Sequence, residues 1–376
     1  MKVHRPALSP LQSAFRTARD ELSSALVERD DEIDLALTAL VAREHVLLVG
    51  PPGCAKSLLL DSILRWAGGS KFSVLLTKFS VPEELFGPVS IAGLKEDRYS
   101  RVTAGRLPEA DFAFVDEVFK ASSAILNTLL KLLNERTFDN GDGVARTVPL
   151  KLCVAAGNEW PGAETGRELA ALFDRFLFRK AVRPILSQAG RRRLLWERDH
   201  TPVLSGSVSP KDLERAHEEA MSLAWTAEAR EALETVLKEL AREGIRPGDR
   251  RQFRAVSAAR AFAWVGGATS VEPEHLEVLA HVLWDDPLEQ PEKCAQVIAR
   301  VANPVGMRVN QLLLECEQIL SGTDVRNLAQ AATAAAKLGE IDRQLAGLKG
   351  NGRLERARAY VREQVRRIRI ASIESV

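Results

Sequence analysis

The 376-residue sequence predicts a parallel α/β core followed by a wholly helical region. Three observations lead there. Short apolar runs such as Val46–Val49 and the run from Asp111 to Glu117 read as buried strands, and helical periodicity follows each. A Gly/Pro-rich turn joins the first run directly to its helix. Beyond Ser187 the strand signal fades, and amphipathic helices carry the remainder.

Composition fits a folded, water-facing chain. Hydrophobic residues make up 45% and charged residues 27%, while a net charge of +1 gives no global pull toward nucleic acid or membrane. The length allows two or three domains with cores of their own. Cys54, Cys153, Cys294 and Cys316 lie far apart with no C-x-x-C pair, which argues against zinc and a disulfide framework and fits a reducing compartment. The N-terminal MKVHRPALSPLQSAF lacks the apolar run of a secretory signal, and no uncharged apolar stretch reaches the roughly 18 residues of a membrane span. A cytoplasmic location is the expectation.

Residues 11–43 show helical spacing at Leu22, Leu26, Ile33, Leu37, Leu40 and Val41, broken by the charged cluster Glu28–Glu32, so a helix-loop-helix leads into the first strand. Then comes HVLLVGPPGCAKSLLL, a strand, a turn and an apolar helix opened by Lys56 and Ser57. A phosphate-binding loop needs inward-facing backbone N–H groups, a helix N-terminus, a lysine for the β- and γ-phosphates and a hydroxyl for Mg2+. Gly50, Pro51, Pro52, Gly53, Cys54, Ala55, Lys56, Ser57 and Leu58 are the candidate loop, with Ala55 standing where the strict pattern has its second glycine. Ser73 to Lys78 reads as another strand, and residues 83–106 as hairpin or loop insertions punctuated by Phe86-Gly87-Pro88, Gly93 and Gly105.

The run DFAFVDE places two carboxylates where a parallel sheet opens onto a crevice. Asp116 is the candidate for Mg2+ and Glu117 the candidate catalytic base; paired with the upstream loop they point to nucleoside triphosphate hydrolysis. A helix over 122–134 leads to the hairpin turn Asn140-Gly141, and a strand over 150–156 runs into Asn158, whose amide suits a water facing a γ-phosphate or, alternatively, a simple turn. From Ala170 to Arg183 a helix end is followed by a strand, with Arg175 and Arg179 along it, where an arginine reaches a neighbouring subunit or forms an ordinary salt bridge. Helices over 214–223, 226–242 and 250–265 follow, with Ser209, Thr226 and Asp249 as cap candidates, and 271–284 closes the bundle. Arg250 and Arg251 open one helix, a cation placement that calls for a compensating anion such as phosphate.

These residues resemble the MoxR family of AAA+ ATPases, and within it the RavA-like branch. GPPGCAKS is similar to that branch's phosphate loop, Ala before Lys included, and the similarity runs nearly unbroken from FSVPEELFGPV to LLNERTFDNG. The resemblance implies an α/β P-loop core at about 20–185 after an N-terminal segment, an α-helical lid at 186–303 and a helical C-terminal extension at 304–376. It implies ATP and Mg2+ as cofactors, with Ser57 and Asp116 toward the metal and Glu117 as base. Asn158 becomes the γ-phosphate sensor, Arg175 the finger offered to the next subunit, and Arg250, or less well Arg251, a second sensor. Residues 86–106 would face a ring pore. Hexameric assembly, a von Willebrand factor A domain partner and chaperone-like work on a protein substrate are further implications. An ATP-dependent assembly switch or scaffold, with hydrolysis only as reset, is the alternative; a GTP switch lacks an N-K-x-D motif.

The last stretch reads as helices over 305–320, 324–348 and 352–370, with an apolar stripe at Leu338, Ile341, Leu345 and Leu348. Arg353, Arg356, Arg358, Arg362, Arg366, Arg367 and Arg369 make the tail basic: a solvated helix packed on its domain, or a docking face for an acidic partner. Nucleic acid is a minor possibility, since Tyr360 alone accompanies the arginines.

Overall fold

The computed structural model describes residues 8–160, 172–197, 201–323, 327–348 and 352–374. The expected starts at Ala170 and Asp324, and the side chains of Arg353 and Arg356, lie outside the described residues. Helix α1 (Pro10–Ala25) starts from a capping box at Ser9, and α2 (Asp30–Ala42) carries Asp30, Asp31 and Glu32 in its first turn, where negative charge complements the helix dipole. The helix α1 straddles the expected boundary at residue 20. Its Phe15 ring sits edge-on to Trp66, at 5.0 Å, and to Trp264, at 5.2 Å, so it pins the core to the helical region.

Five strands form one parallel sheet: β1 (Val46–Val49), β2 (Lys71–Leu75), β3 (Phe112–Asp116), β6 (Leu152–Gly157) and β7 (Phe178–Ala181), in the order β2-β3-β6-β1-β7. β1 and β6 are buried throughout, as continuous apolar runs in a covered parallel sheet should be. Helix α3 (Lys56–Trp66) follows β1, and α6 (Ser123–Glu135) follows β3. The antiparallel hairpin β4 (Thr137–Asp139) and β5 (Ala145–Thr147) forms around Asn140-Gly141 as expected.

Of the two readings of 83–106, hairpin or loop insertions, the loop insertion is the one that forms. The segment holds two short helices, α4 (Pro82–Phe86) and α5 (Ile91–Leu94), and a single bridge between Val89 and Arg101. Asn140 explains this outcome: its side chain bonds both the N–H and the carbonyl of Arg101, at 2.8 and 3.1 Å, so the insertion's backbone is satisfied by the neighbouring turn. The β2 strand also begins earlier than expected, because Lys71 pairs with Phe112 in register.

Helices α7 (Gln188–Trp196), α8 (Pro210–Met221), α9 (Ala227–Arg242), α10 (Asp249–Val265) and α11 (Gln290–Ala302) build the helical region. Ser209 and Thr226 cap α8 and α9, while Gly248 rather than Asp249 is the cap residue of α10. Between α10 and α11 the chain forms a 3-10 helix (Pro273–His281), and the pairs β8 (Ala224–Trp225) and β9 (Ser270–Val271) run parallel. Helices α12 (Pro304–Ser321), α13 (Leu328–Gly347) and α14 (Gly352–Glu374) enclose a second apolar cluster that takes in Leu338, Ile341 and Leu345.

Candidate functional site

A parallel sheet exposes the ends of all its strands along one edge, and four of the sequence candidates meet there. The loop leaving β1 turns on two glycines for different reasons. A Cβ on Gly50 would collide with the carbonyl of Val182, and Gly53 has φ of 81°. Ala55 takes φ 58°, ψ 20° as the residue capping α3, a left-handed conformation that suits the glycine of the strict pattern better. The loop thus keeps the glycine geometry with an alanine in it. Lys56 opens α3, and its Nζ donates to the carbonyls of Gly50 at 2.5 Å and Pro51 at 3.1 Å. Burial lowers its pKa, with Cys54, Asp116 and Glu117 acting in the opposite sense, so the carboxylates lie within electrostatic reach.

Asp116 ends β3, and one of its oxygens accepts the N–H of Glu117 at 2.9 Å. Glu117 has φ of 55°, a conformation that costs a non-glycine residue about 1–2 kcal/mol. β6 lies between the loop strand and the carboxylate strand, and Asn158 follows it immediately. The Asn158 amide donates to Glu117 Oε1, while Lys120 Nζ stands 3.3 Å from Glu117 Oε2. Base and amide candidates are therefore in contact.

Ser57 and Asp116 offer hydroxyl and carboxylate oxygen, the hard donors that suit Mg2+. Among the described residues no group of three or more His, Cys, Asp or Glu could hold a metal. A cation at this edge would share its shell between these two oxygens, water and phosphate, which is how Mg2+ is commonly held.

Arg175 and Arg250 lie elsewhere. Arg175 stands just before β7, whose first residue pairs with Val46 at the start of β1, so it belongs to the amino edge. Arg250 donates to Asn134 at the end of α6, which has returned to that same edge, and the charges of Arg254, Arg175, Asp174 and Glu44 act on it. Four-residue strands put roughly 13 Å of sheet between the two edges. Both arginines thus lie toward the edge opposite the phosphate loop of their own chain. Arg251 is buried and donates to the carbonyls of Leu177, Val282 and Asp174 and to the Asp174 carboxylate, so the anion facing it is an aspartate rather than a phosphate. Arg179 is fully buried, its guanidinium 4.4 Å from the Phe173 ring and 4.5 Å from that of Trp284.

Two contacts had no distinct sequence signal. Arg29, buried at the head of α2, donates to the carbonyl of Cys54 at 3.1 Å and ties the N-terminal helices to the loop. It sits inside the charged cluster Glu28–Glu32, which reads in sequence only as a break in periodicity. Lys120 is an ordinary surface lysine until the turn at Glu117 brings it back.

Over residues 13–213 the chain matches the family model described as the MoxR domain in the MoxR-vWA-beta-propeller ternary systems. The chain belongs to the MoxR family of AAA+ ATPases. Two uncharacterized proteins of Methanocaldococcus jannaschii are similar to it. One is 35% identical over 97% of this chain and 92% of its own length, the other 41% identical over 72% and 71%. Chaperone MoxR1 of Mycobacterium tuberculosis is 27% identical, with 84% of this chain and 87% of that protein aligned. A solved structure from Cytophaga hutchinsonii superposes with a TM-score of 0.61 at 18% identity, covering 78% of this chain and 95% of that one, a likeness of fold alone. For a MoxR chain the edge that carries Lys56, Asp116, Glu117 and Asn158 is the candidate ATP site. No described helix is long and apolar enough to cross a membrane.

Proposed function

We propose that this chain hydrolyses ATP between neighbouring subunits of a ring, most simply a hexamer, and converts the cycle into work on a protein partner. The observation that carries this reading is the separation of its groups: Glu117 and Asn158 touch at one sheet edge, while Arg175 and Arg250 share the other. A second copy is needed to bring the two sets together.

In this mechanism the backbone N–H groups of the loop at 50–57 and Lys56 hold the β- and γ-phosphates. Mg2+ held by Ser57 and Asp116 would neutralise charge on the phosphate oxygens. Glu117 orients and deprotonates the attacking water, and Asn158 fixes both the Glu117 carboxylate and that water against the γ-phosphate. Arg175 of the adjoining subunit stabilises charge on the transferred phosphoryl group, with Arg250 as a second cation from the same side. In this reading Arg250 remains the second sensor, acting from the far edge where its side chain bonds Asn134.

The family description names vWA and β-propeller components, which supports a von Willebrand factor A domain partner here. The chaperone name of MoxR1 supports remodelling of a client protein here, and four free, buried cysteines fit a reducing, cytoplasmic setting. The test is ATPase rate per subunit against protein concentration, with mass followed by light scattering in the presence of ATP and Mg2+. Wild type should gain specific activity as the assembly forms, and Glu117→Gln should assemble without turnover. Assembly by wild type with no turnover at any concentration would replace this reading with that of an ATP-dependent switch or scaffold.

A further inference from the structure

Arg250 and Arg251 are adjacent in the first turn of α10, yet they do different things. Arg250 is exposed, whereas the Arg251 side chain is 3% exposed and lies among backbone carbonyls and two carboxylates. Its Nη1 donates to Val282 O at 3.1 Å and Leu177 O at 3.3 Å; its Nη2 donates to Asp174 Oδ1 at 2.9 Å and Asp174 O at 3.3 Å. Its Nε stands 3.4 Å from Asp285 Oδ1. The other oxygen of Asp174, Oδ2, accepts from Arg175 Nη1 at 2.9 Å. One carboxylate is thus shared between a buried arginine on the helical region and Arg175, whose side chain is 24% exposed.

The rest of the cluster clamps the two turns involved. Arg179 donates to the carbonyl of Trp284 and lies between the Phe173 and Trp284 rings, and its Nη2 is 3.7 Å from Asp285. Residues 172–175 and 282–285 are therefore held by the same pair of arginines. Burial works to raise the pKa of Asp174, but the charges of Arg251 and Arg175 prevail and lower it, so the carboxylate stays ionised. A free arginine side chain carries about 2 kcal/mol of rotamer entropy. A carboxylate clamp removes part of that freedom before the arginine is used, which is preorganisation in the catalytic sense.

We propose that Arg251 is the positioning residue for Arg175: acting through Asp174, it aims the arginine that reaches the next subunit's ATP, and it makes that aim depend on where α10 sits. This rests on the reading of Arg175 as a group that acts in trans. When α10 shifts relative to the sheet, Arg251 carries the Asp174 carboxylate with it or leaves it, and the neighbour's site gains or loses its cation. The position of one subunit's helical region thereby gates hydrolysis in the adjoining subunit.

The test mixes subunits. Arg251→Gln alone should assemble with ATP as wild type does and bind ATP with KM within about twofold, while kcat falls at least about tenfold. Mixed with Glu117→Gln, whose arginine side is intact but whose own site is dead, it should recover turnover, since its own phosphate loop then receives Arg175 from a Glu117→Gln neighbour. Arg175→Ala mixed with Glu117→Gln is the control. No recovery in the control overturns the trans reading itself. Recovery in the control without recovery for Arg251→Gln overturns the positioning role, as does wild-type kcat for Arg251→Gln alone. Should Arg251→Gln fail to fold, Asp174→Asn removes the shared charge and leaves the carbonyl contacts of Arg251, and the same pattern of loss and recovery is expected of it.

Discussion

At the scale of single residues, one backbone position and one class of side chain decide most. Ala55 holds a left-handed conformation that glycine adopts freely, so Ala55→Gly should stabilise the chain by about 0.5–1 kcal/mol in a denaturant melt. A loss of stability would mean the methyl group packs usefully in the loop. The histidines predict acid sensitivity. Cys153 N–H donates to His45 Nδ1 at 3.0 Å, so His45 is a neutral imidazole whose Nε2 faces Leu133 O at 3.1 Å, and burial holds its pKa well below the usual value. Burial, followed by the charge of Lys180, pushes His281 down to about 4. A histidine with a depressed folded pKa contributes stability that is fully present above the unfolded value of about 6.5 and is lost as pH falls. For His281 that window runs from about 6.5 to about 4, with a loss on the order of 3 kcal/mol. His281→Gln should flatten this part of a pH series of urea melts; an unchanged slope would contradict the assignment.

Among elements, α1 has the clearest mechanical role. Phe15 is fully buried between Trp66 of α3 and Trp264 of α10, and the Gln12 side chain donates to Trp264 O at 3.2 Å. Phe15→Ala should cost about 3–5 kcal/mol. Because the contact joins core to helical region, hydrogen exchange should rise in α10 as well as in α1. Protection lost only in α1 would show that α10 is held by other contacts, such as the Arg254–Glu44 pair at 2.8 Å. Helices α7 and α11 fall in the stretch that the sequence marks as helical without giving either its own bounds. Only Gly190 of α7 is buried, so its residues carry no apolar stripe of core-facing period, and its start is set by Ser187 bonding Gly190 N.

For the whole molecule, two apolar clusters predict two responses. The larger spans the sheet and the helices up to α11; the smaller belongs to α12, α13 and α14. Leu338 is fully buried in the smaller one, so Leu338→Ala should cost it about 2–5 kcal/mol. Hydrogen exchange should rise across 304–374 while residues 46–49 and 152–157 stay protected. Loosening of the sheet as well would show that the clusters unfold as one. The arginine-rich α14 is not simply solvated: Arg358 and Arg362 both pair with Asp342 of α13, at 3.3 and 3.1 Å, while Val361 faces the cluster.

The sequence by itself determined the local chemistry: the loop at 50–57, the carboxylates Asp116 and Glu117, the strand leading to Asn158, and the helices with caps and clear apolar faces. Each is legible because it depends on neighbours within a few residues, where spacing, turn chemistry and periodicity act directly. Only the tertiary structure decided that β6 separates the loop strand from the carboxylate strand and brings Asn158 onto Glu117. It also decided that Arg250 and Arg251, adjacent in the chain, part company at the far edge of the sheet. One helical turn points neighbouring side chains about 100° apart, and which of them is buried depends on the element packed against it. Here the turns at 172–177 and 282–285 surround Arg251, and no local pattern near residue 250 records their approach.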